Sequence, residues 1–233
     1  MDRLLTSPQR ARYARGLATT IGLAVALAGP FMVQFVVAPL QTIRPITAVM
    51  LGQSLLWLLA FGVVAISVWW EGTPVSSLGI RSVSWRLGLL AGVLGVVLGV
   101  AVPVLTLVVT RFMPPDQGGT LGSVATGAPP WLLLFTVLTA SVTEEVLFRA
   151  YPIERLARLT GSLWPGALLS LTTFVAFHLA GWNLGHVVGV VLPLGAIMTG
   201  LYVWRRNLLF VVITHVLIDL PLFLVALGVL PQL

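Results

Sequence analysis

Three short stretches of this 233-residue chain place side chains capable of proton chemistry one helical turn apart. They are Glu144-Glu145-Val146-Leu147-Phe148-Arg149, Phe174-Val175-Ala176-Phe177-His178 and His215-Val216-Leu217-Ile218-Asp219. Residues four apart share a helix face. Glu145 therefore faces Arg149 and reads as half of a structural ion pair. Glu144 is turned by about 100° from Glu145 and has no local partner. A lone carboxylate in an apolar setting suits a general base or acid. Asp219 could orient His215, or the two could hold one ion or one developing charge. The Phe174 ring can pack on His178 and fix its imidazole. The whole chain has 7 acidic residues and 3 histidines, so this concentration in apolar stretches needs a reason. Ionisable groups within a membrane mark function by default. The bland alternative is that the apolar run stops near Ser141 and the carboxylates sit in water.

The elements that must position these groups are helices in a bilayer. The chain is 58% hydrophobic and only 9% charged, far below the charge content of soluble domains. There are no cysteines, which removes thiol nucleophiles, disulfides and Cys-ligated metals. The net charge of +6 comes from arginine and suits a membrane surface better than nucleic acid. The expectation is an all-α polytopic membrane protein forming one integral-membrane domain, 1–233. It has a basic arm at 1–16 and a motif-bearing core at 131–221.

Apolar runs at 17–40, 45–70, 87–110, 131–150, 163–181, 184–204 and 208–230 predict seven transmembrane helices, or eight if Pro221 splits the last. An Ala26-Leu27-Ala28 cleavage site is disfavoured because the apolar run continues past it. Gly88, Gly92, Gly95 and Gly99 line one face of the third run for close packing. The stretch 111–130 reads as an irregular loop, and 151–161, with Glu154, Arg155 and Arg158, as a short interfacial amphipathic helix. Arginines in the arm and at 81, 86, 155, 158, 205 and 206 would all lie on one side, with Arg44 and Arg111 opposite. That asymmetry predicts a cytoplasmic N-terminus.

Several intramembrane chemistries are excluded by the residues. There is no His-Glu-x-x-His pair for a site-2 type metalloprotease and no second intramembrane aspartate for an aspartyl dyad. Gly122-Ser123, in the loop, lacks a helical histidine partner for a rhomboid-like mechanism. The three stretches together resemble the CAAX-prenyl protease and bacteriocin-processing (CPBP, Abi) family, whose signature is Glu-Glu-x-x-x-Arg, Phe-x-x-x-His and His-x-x-x-Asn or Asp on successive membrane helices. The resemblance covers roughly residues 131 to 221.

This resemblance implies an intramembrane endopeptidase in which Glu144 activates water with help from His178. His215 and Asp219 would steady the oxyanion or contribute to metal binding, and Glu145, Arg149 and Phe174 would support them. The substrate would be a membrane-associated peptide or a prenylated protein tail. Asp219 departs from the commoner Asn, because an ionised Asp cannot donate to an oxyanion. It would be protonated, orient His215 or ligate a metal. Glu144, His178, His215 and Asp219 could bind Zn²⁺ or another divalent metal, and the family has also been discussed as glutamate-dependent without one. A non-catalytic scaffold of the same fold and a proton-coupled transporter are the alternative functions. The absence of internal repeats argues against the latter. His186, Trp182 and Asn183 fall outside the expected site.

One expectation conflicts with the rest. With the fourth span entering at Trp131 and the fifth at Leu163 from the other side, a rise of about 1.5 Å per residue leaves Glu144 and His178 roughly 10 Å apart in depth.

Overall fold

A computed structural model describes residues 7–112 and 128–227. The described residues are 87% helical with no strand among them. Seven long helices account for almost all of it. Helix α1 is Ser7–Gln41, α2 Pro45–Trp70, α3 Trp85–Phe112 and α4 Pro130–Thr160. Helix α5 is Leu163–His178, α6 Leu184–Arg205 and α7 Leu208–Ala226. A 3₁₀ turn, Val75–Leu78, lies between α2 and α3. Five of the helices, α1 to α4 and α6, are long and apolar enough to cross a membrane, while α5 and α7 are shorter apolar helices. The chain is an integral membrane protein by this measure, and full spanning by α5 and α7 does not follow from their length. The basic arm up to residue 6, most of the 111–130 loop and the last residues of the seventh apolar run lie outside the described residues.

Pro221 lies within α7, which continues to Ala226, so it does not split the described helix in two. Pro30 and Pro39 lie within α1 and Pro103 within α3. Apolar surroundings favour keeping the remaining backbone hydrogen bonds intact, because no water can replace them.

Helix α4 is the axis of the fold. Of its apolar window 61% is buried, against 11% for α2 and 12% for α3. It touches α1, α2, α5, α6 and α7. Its last ten residues correct the expectation of a separate interfacial helix. The 151–160 segment runs straight on from the acidic motif, with Tyr151, Ile153, Glu154 and Arg155 buried and only its final turn exposed. Buried partners explain why its charges face inward. Glu71 at the foot of α2 meets Arg155 Nε at 2.6 Å and accepts hydrogen bonds from Tyr151 Oη and Thr19 Oγ1, each at 2.8 Å. Arg155 also donates to Ser67 Oγ at 2.5 Å and to Thr73 Oγ1 at 3.2 Å. Glu154 accepts from Arg206, just past the end of α6, at 3.0 Å.

The glycine face of α3 serves the packing read from its spacing, at two of its four positions. Side chains at Gly95 and Gly99 would stand 2.6 Å from Leu217 Cβ and 2.7 Å from the Leu217 carbonyl, so only glycine lets α3 and α7 approach this closely. Gly92 meets nothing and Gly88 only an ordinary contact.

Candidate active site

The acidic motif sits where α4 changes its winding. Pro130–Glu144 is α-helical, Glu145–Ala150 forms one π-type turn, and Tyr151–Thr160 resumes the α-helix. Single π turns widen a helix locally and are frequent at functional sites. Here every residue from Thr143 to Ile153 is buried, so both carboxylates point into the bundle. The solvated-end alternative is overturned: Glu145 and Arg149 have no exposed surface, and Glu144 is only 9% exposed.

Glu145 does more than pair with Arg149. Its Oε1 meets Arg149 Nη1 at 3.2 Å and accepts a hydrogen bond from His215 Nδ1 at 2.8 Å. The other imidazole nitrogen, Nε2, faces Asp219 Oδ2 at 3.5 Å. His215 is thus held between two carboxylates, only one of which belongs to its own motif. Arg149 lays its guanidinium over the Phe174 ring, 3.9 Å from the centroid. Its Nε and Nη2, with Glu145 Oε2, are buried without a hydrogen-bond partner among the described residues.

Phe174 lies between the motifs. One ring contact is Arg149, and another is His178, with centroids 4.4 Å apart, as the i,i+4 spacing suggests. Phe148 meets Phe174 edge-on at 5.5 Å. Gly195 on α6 makes room for this stack, since a Cβ there would be 2.9 Å from Phe174 Cδ1. Nothing in the sequence pointed to Gly195. His178 Nδ1 donates to the Phe174 carbonyl at 2.8 Å, which in the neutral ring leaves Nε2 as an acceptor.

Glu144 makes no direct hydrogen bond among the described residues, but it lies within electrostatic range of His178, His215, Arg149 and Asp219. All the residues singled out from the sequence therefore come together. The 10 Å depth conflict disappears because α4 is longer than expected. Counted from the facing helix ends at Thr160 and Leu163, Glu144 stands about 24 Å up α4 and His178 about 23 Å up α5. The error lay in ending the fourth span near residue 150.

The donor geometry bears on metal binding. Among the described residues, no three His, Asp or Glu side chains stand together as a metal-holding group. His215 already uses Nδ1 on Glu145 and turns Nε2 to Asp219, and His178 uses Nδ1 on a carbonyl. Glu144, His178, His215 and Asp219 are neighbours without forming a ready ligand set.

His186 stays outside the four-residue cluster, though not far from it. Its ring stacks on Trp182 at 4.1 Å, Asn183 Oδ1 accepts from its backbone N–H at 2.6 Å, and it lies within electrostatic range of His178. Beyond the membrane segments, the hydrogen bonds to Glu154 push the Arg206 guanidinium above its ordinary pKa.

Residues 126–221 match the family model for the Rce1-like type II CAAX prenyl endopeptidases. The region is similar to that family over 96 of the 233 residues. The match spans all three motifs and nearly the same stretch as the resemblance read from them, and such a family points to peptidase activity. No curated protein and no solved structure matches the chain.

Proposed function

We propose that the protein is an intramembrane endopeptidase that uses Glu144 as its general base. The observation that carries this reading is the convergence of Glu144, His178 and His215 from three helices inside an Rce1-like region. In the proposed step the Glu144 carboxylate takes a proton from water, and the water oxygen bonds to the carbonyl carbon of the scissile peptide. Collapse of the tetrahedral intermediate breaks the C–N bond, and the proton on Glu144 passes to the leaving nitrogen. His178 Nε2, left as an acceptor by the bond from Nδ1 to the Phe174 carbonyl, orients the water. Asp219 and Glu145 hold His215 beside the reacting carbonyl. That arrangement favours the orienting role for Asp219 over direct contact with an oxyanion.

The substrate class is a membrane-associated peptide or a prenylated protein tail, which the bilayer concentrates at the site. The proposed topology has the N-terminus in the cytoplasm, and α5 and α7 complete the seven-helix enclosure. A metal ion remains a separate question of composition: metal content of the purified protein, and its cleavage rate before and after chelation, divide a glutamate-only site from a metal-assisted one.

The test is a tethered peptide library, prenylated and unprenylated, presented in liposomes to the parent protein and to Glu144→Gln. Cleavage by the parent and none by a folded Glu144→Gln protein supports the mechanism. Equal cleavage by both removes Glu144 from it.

A further inference from the structure

A second polar feature lies at the opposite end of α4 from its entry. A cleft of about 560 Å³ opens where the α4–α5 turn, the 3₁₀ turn and the α6–α7 turn meet. Arg81, Arg158 and Arg206 line it, with Glu154, Ser77 and Ser162. All three arginines are exposed. Glu154 pairs with Arg206, whereas no carboxylate among the described residues pairs with Arg81 or Arg158. The cleft thus keeps a charge of about +2 at neutral pH. Arg206 takes a left-handed backbone conformation, φ 46°, which side-chain-bearing residues seldom adopt. There it caps α6, its backbone N–H bonded to the Tyr202 carbonyl at 2.6 Å, while its side chain pairs with Glu154 on the cleft wall.

The depth of the cleft identifies its surroundings. Trp164 lies two residues past Ser162, Trp204 two before Arg206 and Trp85 four past Arg81, and they are 66%, 57% and 73% exposed. The Arg205 guanidinium covers the Trp204 ring at 3.5 Å and Arg86 lies over Trp85 at 5.4 Å. Exposed tryptophans beside arginines mark the headgroup layer of a bilayer. The geometry points to a binding site for the phosphate of an anionic phospholipid, with Arg81 and Arg158 as the principal cations and Ser162 and Ser77 as hydroxyl donors. A single tightly paired arginine would not suffice, and a flat basic surface would not offer a cleft of this size. The inference is independent of the peptidase reading.

The test titrates dioleoylphosphatidylglycerol into the detergent-purified full chain and reads bound lipid by native mass spectrometry. Dioleoylphosphatidylcholine and inorganic phosphate are separate arms. The cleft variant is Arg81→Gln/Arg158→Gln. The control is Arg86→Gln/Arg205→Gln, which removes the same charge outside the cleft. Melting curves confirm that both remain folded. The cleft variant is expected to bind phosphatidylglycerol roughly thirtyfold more weakly, about fivefold per arginine, and the control to retain the parent's affinity. Equal loss in the two variants would reduce the site to general surface charge. Binding of inorganic phosphate that displaces the lipid would assign the cleft to a soluble anion. Equal binding of dioleoylphosphatidylcholine would show that the cleft does not select an anionic lipid. Each of these results overturns the proposal.

Discussion

His215 Nδ1 donates to Glu145 Oε1 at 2.8 Å, across 70 residues of chain. Nine residues down α4 from Glu145 stands Glu154, and nine residues before His215 stands its partner Arg206. The two polar contacts are rungs that tie α4 to the α6–α7 segment at two levels. The lower rung sits at the α4–α5 end of the bundle and the upper one at the candidate site. Together they fix the axial register in which Glu144 faces His178 and His215.

The upper rung is the more sensitive to loss of one member. Arg149→Met leaves Glu145 buried without its cation, and we expect a loss of about 3–5 kcal/mol. The double change Glu145→Gln/Arg149→Met should recover part of that stability, because neither charge of that pair is left behind alone. Melting in detergent, followed by near-UV circular dichroism, checks both.

Glu144 should behave in the opposite way. It has no hydrogen-bond partner to lose, so Glu144→Gln should melt within about 1 kcal/mol of the parent. Its cleavage rate should fall by roughly 10²–10⁴, the contribution of a positioned general base. Paired melting and single-turnover assays separate the two effects. A variant that loses stability and activity together would show that Glu144 is part of the framework instead.

The stack through Phe174 gives a prediction far from any ionisable group. Gly195→Val pushes on the Phe174 ring, which touches both Arg149 and His178. Overpacking of this kind costs about 1–3 kcal/mol. We expect the cleavage rate to drop more than that loss of folded protein explains, because the His178 imidazole turns with the ring. Gly195→Val combined with Phe174→Leu should restore folding and leave the rate low. Rates normalised to the folded fraction are the measurement.

At the foot of the bundle, Glu71→Gln should destabilise by about 3–5 kcal/mol, since it leaves Arg155 buried and unpaired. For the molecules that remain folded, the rate per folded molecule should match the parent, because the partners of Glu71 are Thr19, Tyr151 and Arg155, none of them a site residue. Thermal melts and active-fraction-corrected rates check this.

The local part of the site was legible because its contacts are one helical turn long. The Glu145–Arg149 pair and the Phe174–His178 stack follow from spacing alone. The bond from Glu145 to His215 does not, because it depends on how α4 and α7 are rotated against each other. The same limit hid the buried role of Glu71, Glu154 and Arg155. A charged, amphipathic pattern at the end of an apolar run looks alike whether its charges meet water or partners from α2, the 3₁₀ turn and the α6–α7 turn. Misreading that segment shortened α4, and with it the apparent depth of Glu144. The π turn at Glu145–Ala150 left no pattern in the apolar spacing at all.

The equal spacing of the two rungs is also a constraint on length. Between Glu145 and Glu154 the chain can exchange one apolar residue for another at modest cost, but it cannot gain or lose one freely. A single residue inserted in the α-helical stretch from Tyr151 would rotate Glu154 by about 100° relative to Glu145 and shift it by about 1.5 Å. One rung would have to open for the other to close. In this protein the ruler between surface and site is the count of residues in one helix.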